Sequence, residues 1–176
     1  NLLIGRLGGP SALGLTSSAV AIAQLASLCG PTTAGAAASK FVARADGQGD
    51  AAEALGVAKH VTRITIATAI VAGLAAALLW HGDAQSLWWQ RAVVFTLVLG
   101  YSGYALARGV QFGAGRIRRS TVWDLSTATL AVAGVAFVML ANLHPLIALV
   151  PVASSLLLYT LSGWFRGPGR SLTQEA

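Results

Sequence analysis

Apolar residues run through this chain in blocks of about twenty, broken by short polar or glycine-rich turns. A helix needs about that length to cross a hydrocarbon core roughly 30 Å thick. Lipid admits only helices or closed barrels, and the blocks lack the alternate-residue rhythm of barrel strands. The pattern therefore predicts helices. A partial apolar segment over 1–7 ends at Gly8-Gly9-Pro10-Ser11, where Pro10 and Ser11 suit a helix start. A long segment over 12–42 follows, kinked at Pro31, whose ring nitrogen has no hydrogen to donate. Further spans are predicted over 61–80, 92–110, 122–140 and 146–164. The stretch 36–60 is the main polar connection. It turns basic at Lys40 and Arg44, passes the Asp46-Gly47-Gln48-Gly49 turn, and enters an amphipathic helix from Ala51 to Lys59. Residues 165–176 read as a polar tail or linker. Residues 1–7 are too short for a signal-peptide core, and the chain opens on Asn1, so it reads as a fragment whose first helix is missing its start.

Composition sharpens this reading. The chain is 55% hydrophobic and only 10% charged, whereas soluble domains carry about 25% charged residues. An ordinary soluble domain is excluded. The net charge of +6 belongs to residues divided among apolar spans, not lining one face, so no nucleic-acid partner is expected. Lys40, Arg44, Lys59, Arg63, Arg108, Arg116, Arg118, Arg119, Arg166 and Arg170 fall on one side of the predicted topology. Arg6 and Arg91 fall on the other. Basic residues collect in cytoplasmic loops, so the first group is expected on the cytoplasmic side of a cytoplasmic membrane. Trp80, Trp88 and Trp89 fit an interfacial aromatic belt. The one cysteine, Cys29, forbids an intrachain disulfide and reads as a packing residue.

Candidate chemistry is sparse. No two of the six acids and three histidines share a recognisable spacing, so neither a catalytic constellation, a metal site nor a cofactor is predicted. Asp124 stands just inside the span over 122–140. An acid at membrane depth is a functional candidate, here for ion coupling, and otherwise a counter-ion for Arg108, Arg118 or Arg119. Gln24 is the single amide of its span, and Thr32 and Thr33 follow Pro31. All three are cavity-lining candidates, because broken helices line many transporter sites. Ala69, Gly73 and Ala77 form a small-residue face suited to close helix approach. Gly109, Gly113 and Gly115 read as a flexible turn at a helix end.

Three stretches carry a resemblance. Arg6-Leu-Gly-Gly-Pro-Ser-Ala-Leu-Gly resembles the Arg-x-Leu-Gly-Pro turn after the first helix of the oligosaccharide flippases. These polysaccharide transport proteins belong to the multidrug/oligosaccharidyl-lipid/polysaccharide exporter superfamily. Ala37-Ala-Ser-Lys-Phe-Val-Ala-Arg-Ala resembles the end of their second helix. Tyr104-Ala-Leu-Ala-Arg-Gly-Val-Gln-Phe-Gly-Ala-Gly-Arg resembles the end of their fourth. The chain departs at Leu13, where the family commonly has an aromatic residue, and by the extra residue in Gly8-Gly9-Pro10. The resemblance implies about five complete transmembrane helices plus the end of a first one, forming half of a two-bundle transporter. A C-terminal half would complete it. It also implies alternating access for a lipid-linked glycan, with Lys40, Arg44, Arg63 and Arg108 as substrate-binding candidates. Two other expectations stand beside it. One is a cation-coupled drug or metabolite exporter of the same superfamily. The other is a membrane scaffold or accessory subunit that transports nothing itself. An enzyme is not expected.

Overall fold

In the computed structural model, residues 2–81 and 87–164 are described. The expected tail over 165–176, with Arg166 and Arg170, lies outside the described residues. The rest is helical: α1 (Leu2–Leu28), α2 (Pro31–Gly47), α3 (Ala51–Leu79), α4 (Leu87–Gly113), α5 (Ile117–Leu140), a 3-10 turn over Pro145–Ala148, and α6 (Leu149–Trp164). Five helical stretches are long and apolar enough to cross a membrane: Ile4–Leu28, Ala52–Leu79, Leu87–Gly113, Ile117–Leu140 and Pro145–Ser162. The protein is an all-α, multi-pass membrane bundle.

Local chemistry sets the boundaries. Gly9 has φ 79 and ψ 179, outside the helical region. The chain bends sharply there, because a Cβ on Gly5 would lie 3.4 Å from the Leu13 side chain. In a straight helix two residues eight apart are separated by about 12 Å. Asp50 caps α3, its side chain accepting a 2.8 Å hydrogen bond from the Glu53 amide. Between α4 and α5, Gly115 turns the chain with φ 68.

Pro31 separates two helices where a kink within one was expected. α1 ends at Leu28 and α2 starts at Pro31. Proline leaves the Ser27 carbonyl, four residues back, without its usual donor. The Thr32 hydroxyl donates to that carbonyl instead, at 3.0 Å. Thr33 donates to the Gly30 carbonyl at 2.6 Å.

α4 is the axis of the bundle. α3 and the α1–α2 pair pack on one flank, and α6 packs on the other, carrying α5. Ala19 and Ala23 of α1 meet Val94, Leu97 and Val98 of α4. Further along, Gly35 meets Ala105 and Gly109, and Ser39 meets Gly113. The chain thus ascends α4 in parallel, first as α1 and then as α2, despite the break. The α2–α4 seam is built from backbone on backbone. A Cβ on Gly35 would fall 2.5 Å from the Ala105 carbonyl oxygen, and one on Gly109 would strike the Gly35 carbonyl. Gly109 and Gly113 are therefore contact glycines inside a helix, not the flexible turn expected of them. Small residues at such seams let helices in lipid gain close van der Waals contact. On α3 the expected small face is buried, with Gly73 facing the Phe95 ring.

Candidate functional site

The two flanks leave a cleft. At the end of the bundle near Met139, α1 reaches α5: Ile4 and Ala12 pack with Val135, Val138 and Met139. At the basic end, near Gly113, α2 and α5 do not pack against each other. The face of α4 exposed between them carries Tyr101, Tyr104, Arg108 and Phe112. These residues follow the three-and-four spacing of one helix face.

Below this level the same face is closed. Val94 and Leu97 are fully buried under α1 and the Leu146–Leu149 region. Trp80 donates its indole N–H to the side-chain oxygen of buried Gln90 at 3.1 Å. Above it the face turns polar. Tyr104 donates to Asp124 Oδ1 at 2.9 Å, and Arg108 Nη1 donates to the Tyr104 hydroxyl at 3.0 Å. Arg108 Nε stands 3.7 Å from Asp124 Oδ2, with the two side chains 45% and 26% exposed. The three groups form a closed triangle: cation to hydroxyl, hydroxyl to carboxylate, carboxylate to cation. The guanidinium also lies 5.1 Å from the Phe112 ring centre and 5.8 Å from that of Tyr104. These contacts hold the cation partly desolvated but accessible.

Depth follows from helix rise. Tyr104 is four residues past Gly100, the midpoint of α4, hence about 6 Å toward the basic end. Asp124 lies seven residues into α5, about 10 Å from its start. Both lie within about 15 Å of their helix midpoints, half the thickness of a hydrocarbon core, where an unpaired charge is costly.

A second polar group lies behind the triangle and is buried. Ser120 Oγ and Tyr159 Oη share a 2.6 Å hydrogen bond. Tyr159 donates to Gln111 Oε1 at 3.5 Å, and its ring packs 4.8 Å from that of Tyr104. Arg119 Nη2 donates to the Ser162 carbonyl at 2.9 Å, tying α5 to the end of α6. This group fixes the α4–α6–α5 register, and so fixes which arginine meets Asp124.

The sequence candidates separate accordingly. Arg108 and Asp124 come together, and Arg118 and Arg119 are not the partners of Asp124. Gln24 of α1 lies beside Tyr101 at the closed end of the cleft. Lys40 is exposed on α2, about 140° round from Gly35 and away from the α3-covered side. Arg44 is exposed about 180° round from the same line and points away from α4. Arg63 is exposed on α3, which does not border the cleft. Thr32 and Thr33 spend their hydroxyl hydrogens on the helix break. Tyr104, Ser120 and Tyr159 were not among the candidates. Tyr104 had a legible signal, since it stands one turn before Arg108 on the same helix face. Ser120 and Tyr159 had none. Among the described residues no group of three or more His, Cys, Asp or Glu could hold a metal ion. Compared with protein-family models, curated proteins and solved structures, the chain matches none.

Proposed function

We infer that this bundle is a working part of a membrane transporter of flippase type, moving a lipid-linked oligosaccharide or polysaccharide precursor by alternating access. One observation supports it above the others: an accessible arginine, Arg108, held at membrane depth by Asp124 and Tyr104 in a cleft that widens toward the basic end. An anionic lipid headgroup entering that cleft meets a cation whose counter-ion is only loosely paired. The charge bias between loops favours a cytoplasmic open end. Exposed Lys40 on α2 adds a second positive charge. The exposed faces of α2 and α5 beside the cleft are the surfaces that a second bundle would cover. Arg44 and Arg63 serve as interfacial anchors in this reading, not as substrate contacts.

The test is glycan export in cells expressing the whole gene. Arg108→Glu should reduce export to background, and Arg108→Gln, which sets no second carboxylate against Asp124, should do so with folded protein retained. Arg63→Glu should leave export intact. Export that survives Arg108→Glu overturns the reading, and would leave a non-transporting scaffold as the better description. The depth of Asp124 favours a second reading, a cation-coupled exporter in which this carboxylate carries the ion. That reading requires Asp124→Asn to stop transport and to remove its dependence on the ion gradient.

A further inference from the structure

Resting on the transport reading above, we propose that Asp124 is a resident competitor for the ligand of Arg108, so that a phosphate-bearing ligand binds by ion-pair exchange. The geometry is that of an exchangeable pair. The Arg108–Asp124 contact at 3.7 Å exceeds a good charge-assisted hydrogen bond, about 2.7–2.9 Å. The closer bonds both run through the Tyr104 hydroxyl, which accepts from the cation and donates to the carboxylate. That hydroxyl can keep its bond from Arg108 and turn its own hydrogen toward a different anionic oxygen. Tyr104 is then a pivot, serving Asp124 when the site is empty and the ligand when it is filled.

The electrostatics explain why such a competitor would be kept. An arginine alone at this depth is costly, and a carboxylate beside it lowers that cost while the site is empty. A phosphate group on Arg108 takes over the same work and repels the carboxylate. Asp124 has somewhere to go, because it is partly exposed and sits one turn from exposed Thr121 at the widening end of the cleft. Buried Ser120 and Tyr159 hold the helices in register as the carboxylate swings, so exchange needs side-chain movement only. The ligand class is a terminal phosphate or pyrophosphate group. It is taken either as a lipid headgroup or as a free ion.

The experiment compares wild type with Asp124→Asn and Asp124→Glu in phosphatidylcholine nanodiscs, using the full chain. One arm titrates a fluorescent short-chain phosphatidic acid, the other inorganic pyrophosphate. Asp124→Asn removes the competitor and should tighten binding roughly tenfold, a usual size for coupling between two ligands of one site. Asp124→Glu carries the carboxylate one methylene nearer to Arg108 and should weaken binding. Adding Arg108→Gln to Asp124→Asn should erase the gain. A gain with either probe supports exchange, and the probe or probes that show it identify the form of phosphate recognised. Equal affinity of wild type and Asp124→Asn for both probes overturns it, as does a gain that survives Arg108→Gln. If Asp124→Asn does not fold, the opposite shift in Asp124→Glu still decides. Export in cells is read separately. Tighter binding without export in any variant would sink the transporter reading and leave exchange standing. Export with unchanged binding would do the reverse.

Discussion

The α2 and α5 sides of α4 are held by different means. On the α2 flank, Gly35, Gly109 and Gly113 bring backbone onto backbone, and no charged side chain enters the seam. On the α5 flank, α5 hardly touches α4. It is tied through α6 and through side-chain bonds at Ser120, Tyr159, Tyr104 and Asp124. The first arrangement is dry and leaves little room for alternatives. The second leaves a cation half exposed beside an open cleft. In lipid, where association gains little from the hydrophobic effect, close packing and hydrogen bonds are the two available ways to hold helices together. This bundle packs closely on both sides of α4, at Gly35–Gly109 toward α2 and at Gly100 and Gly103 toward α6, and adds the side-chain bonds only where α5 approaches. A site that must exchange partners belongs on the side held by the bonds that can be remade.

The comparison breaks most easily on the packed flank. A valine at Gly109 places methyl groups where the Gly35 backbone now lies, so α2 must leave α4. Overpacking of this kind costs about 3 kcal/mol or somewhat more. Gly109→Val should therefore lose most of the folded protein in a detergent thermal-unfolding assay. Gly115→Ala is the control. That glycine has open space around it, and only its φ of 68 opposes a side chain. The cost there should be near 1 kcal/mol. Equal losses at the two positions would show that the seam is not set by backbone contact.

These two glycines also show what was legible from sequence. The helices were, because twenty-residue apolar blocks admit few alternatives in lipid, and the break at Gly9 follows from residue type, while the turn expected over Asp46–Gly49 starts only at Gln48, after α2 has run through Gly47. The role of Gly109 was not. A glycine-rich helix end and a glycine packing seam look the same until the partner, here Gly35, is known. Asp124 was legible as an acid at depth, but three arginines could have paired with it. The choice of Arg108 follows from the register that α6 imposes between α4 and α5, through Ser120 and Tyr159, which lie 39 residues apart in sequence. The hydroxyls of Thr32 and Thr33 were assigned to a cavity. Pro31 gave the better signal, because a missing donor leaves a carbonyl four residues back that a nearby hydroxyl will claim.

On the polar flank the effects should be smaller and graded by burial. Tyr159→Phe removes one partner of a fully buried hydroxyl pair and leaves Ser120 without it. A buried group left unsatisfied costs about 1–2 kcal/mol, so the melting temperature should fall measurably. Ser126→Ala deletes an exposed hydroxyl bonded only to its own helix at Val122. It should stay within about 0.5 kcal/mol of wild type. If the two variants melt alike, the Ser120–Tyr159 bond does not set the register of this flank.

The smallest effect lies where α1 gives way to α2. There the packed flank borrows the method of the polar one: a side chain replaces a backbone bond. Thr32→Val should cost somewhat under 1 kcal/mol, the average found for hydrogen bonds inside membrane bundles being about 0.6. The size matters less than its dependence on Pro31. In a Pro31→Ala background the backbone N–H is restored and can donate to the Ser27 carbonyl, so the Thr32 hydroxyl has less to supply. Thr32→Val should then cost less than it does beside proline, and the difference is the coupling energy of a double-mutant cycle. Equal costs in the two backgrounds would mean that the hydroxyl is not standing in for the missing donor. The break would then be held by the packing of Pro31, which is itself buried against the bundle.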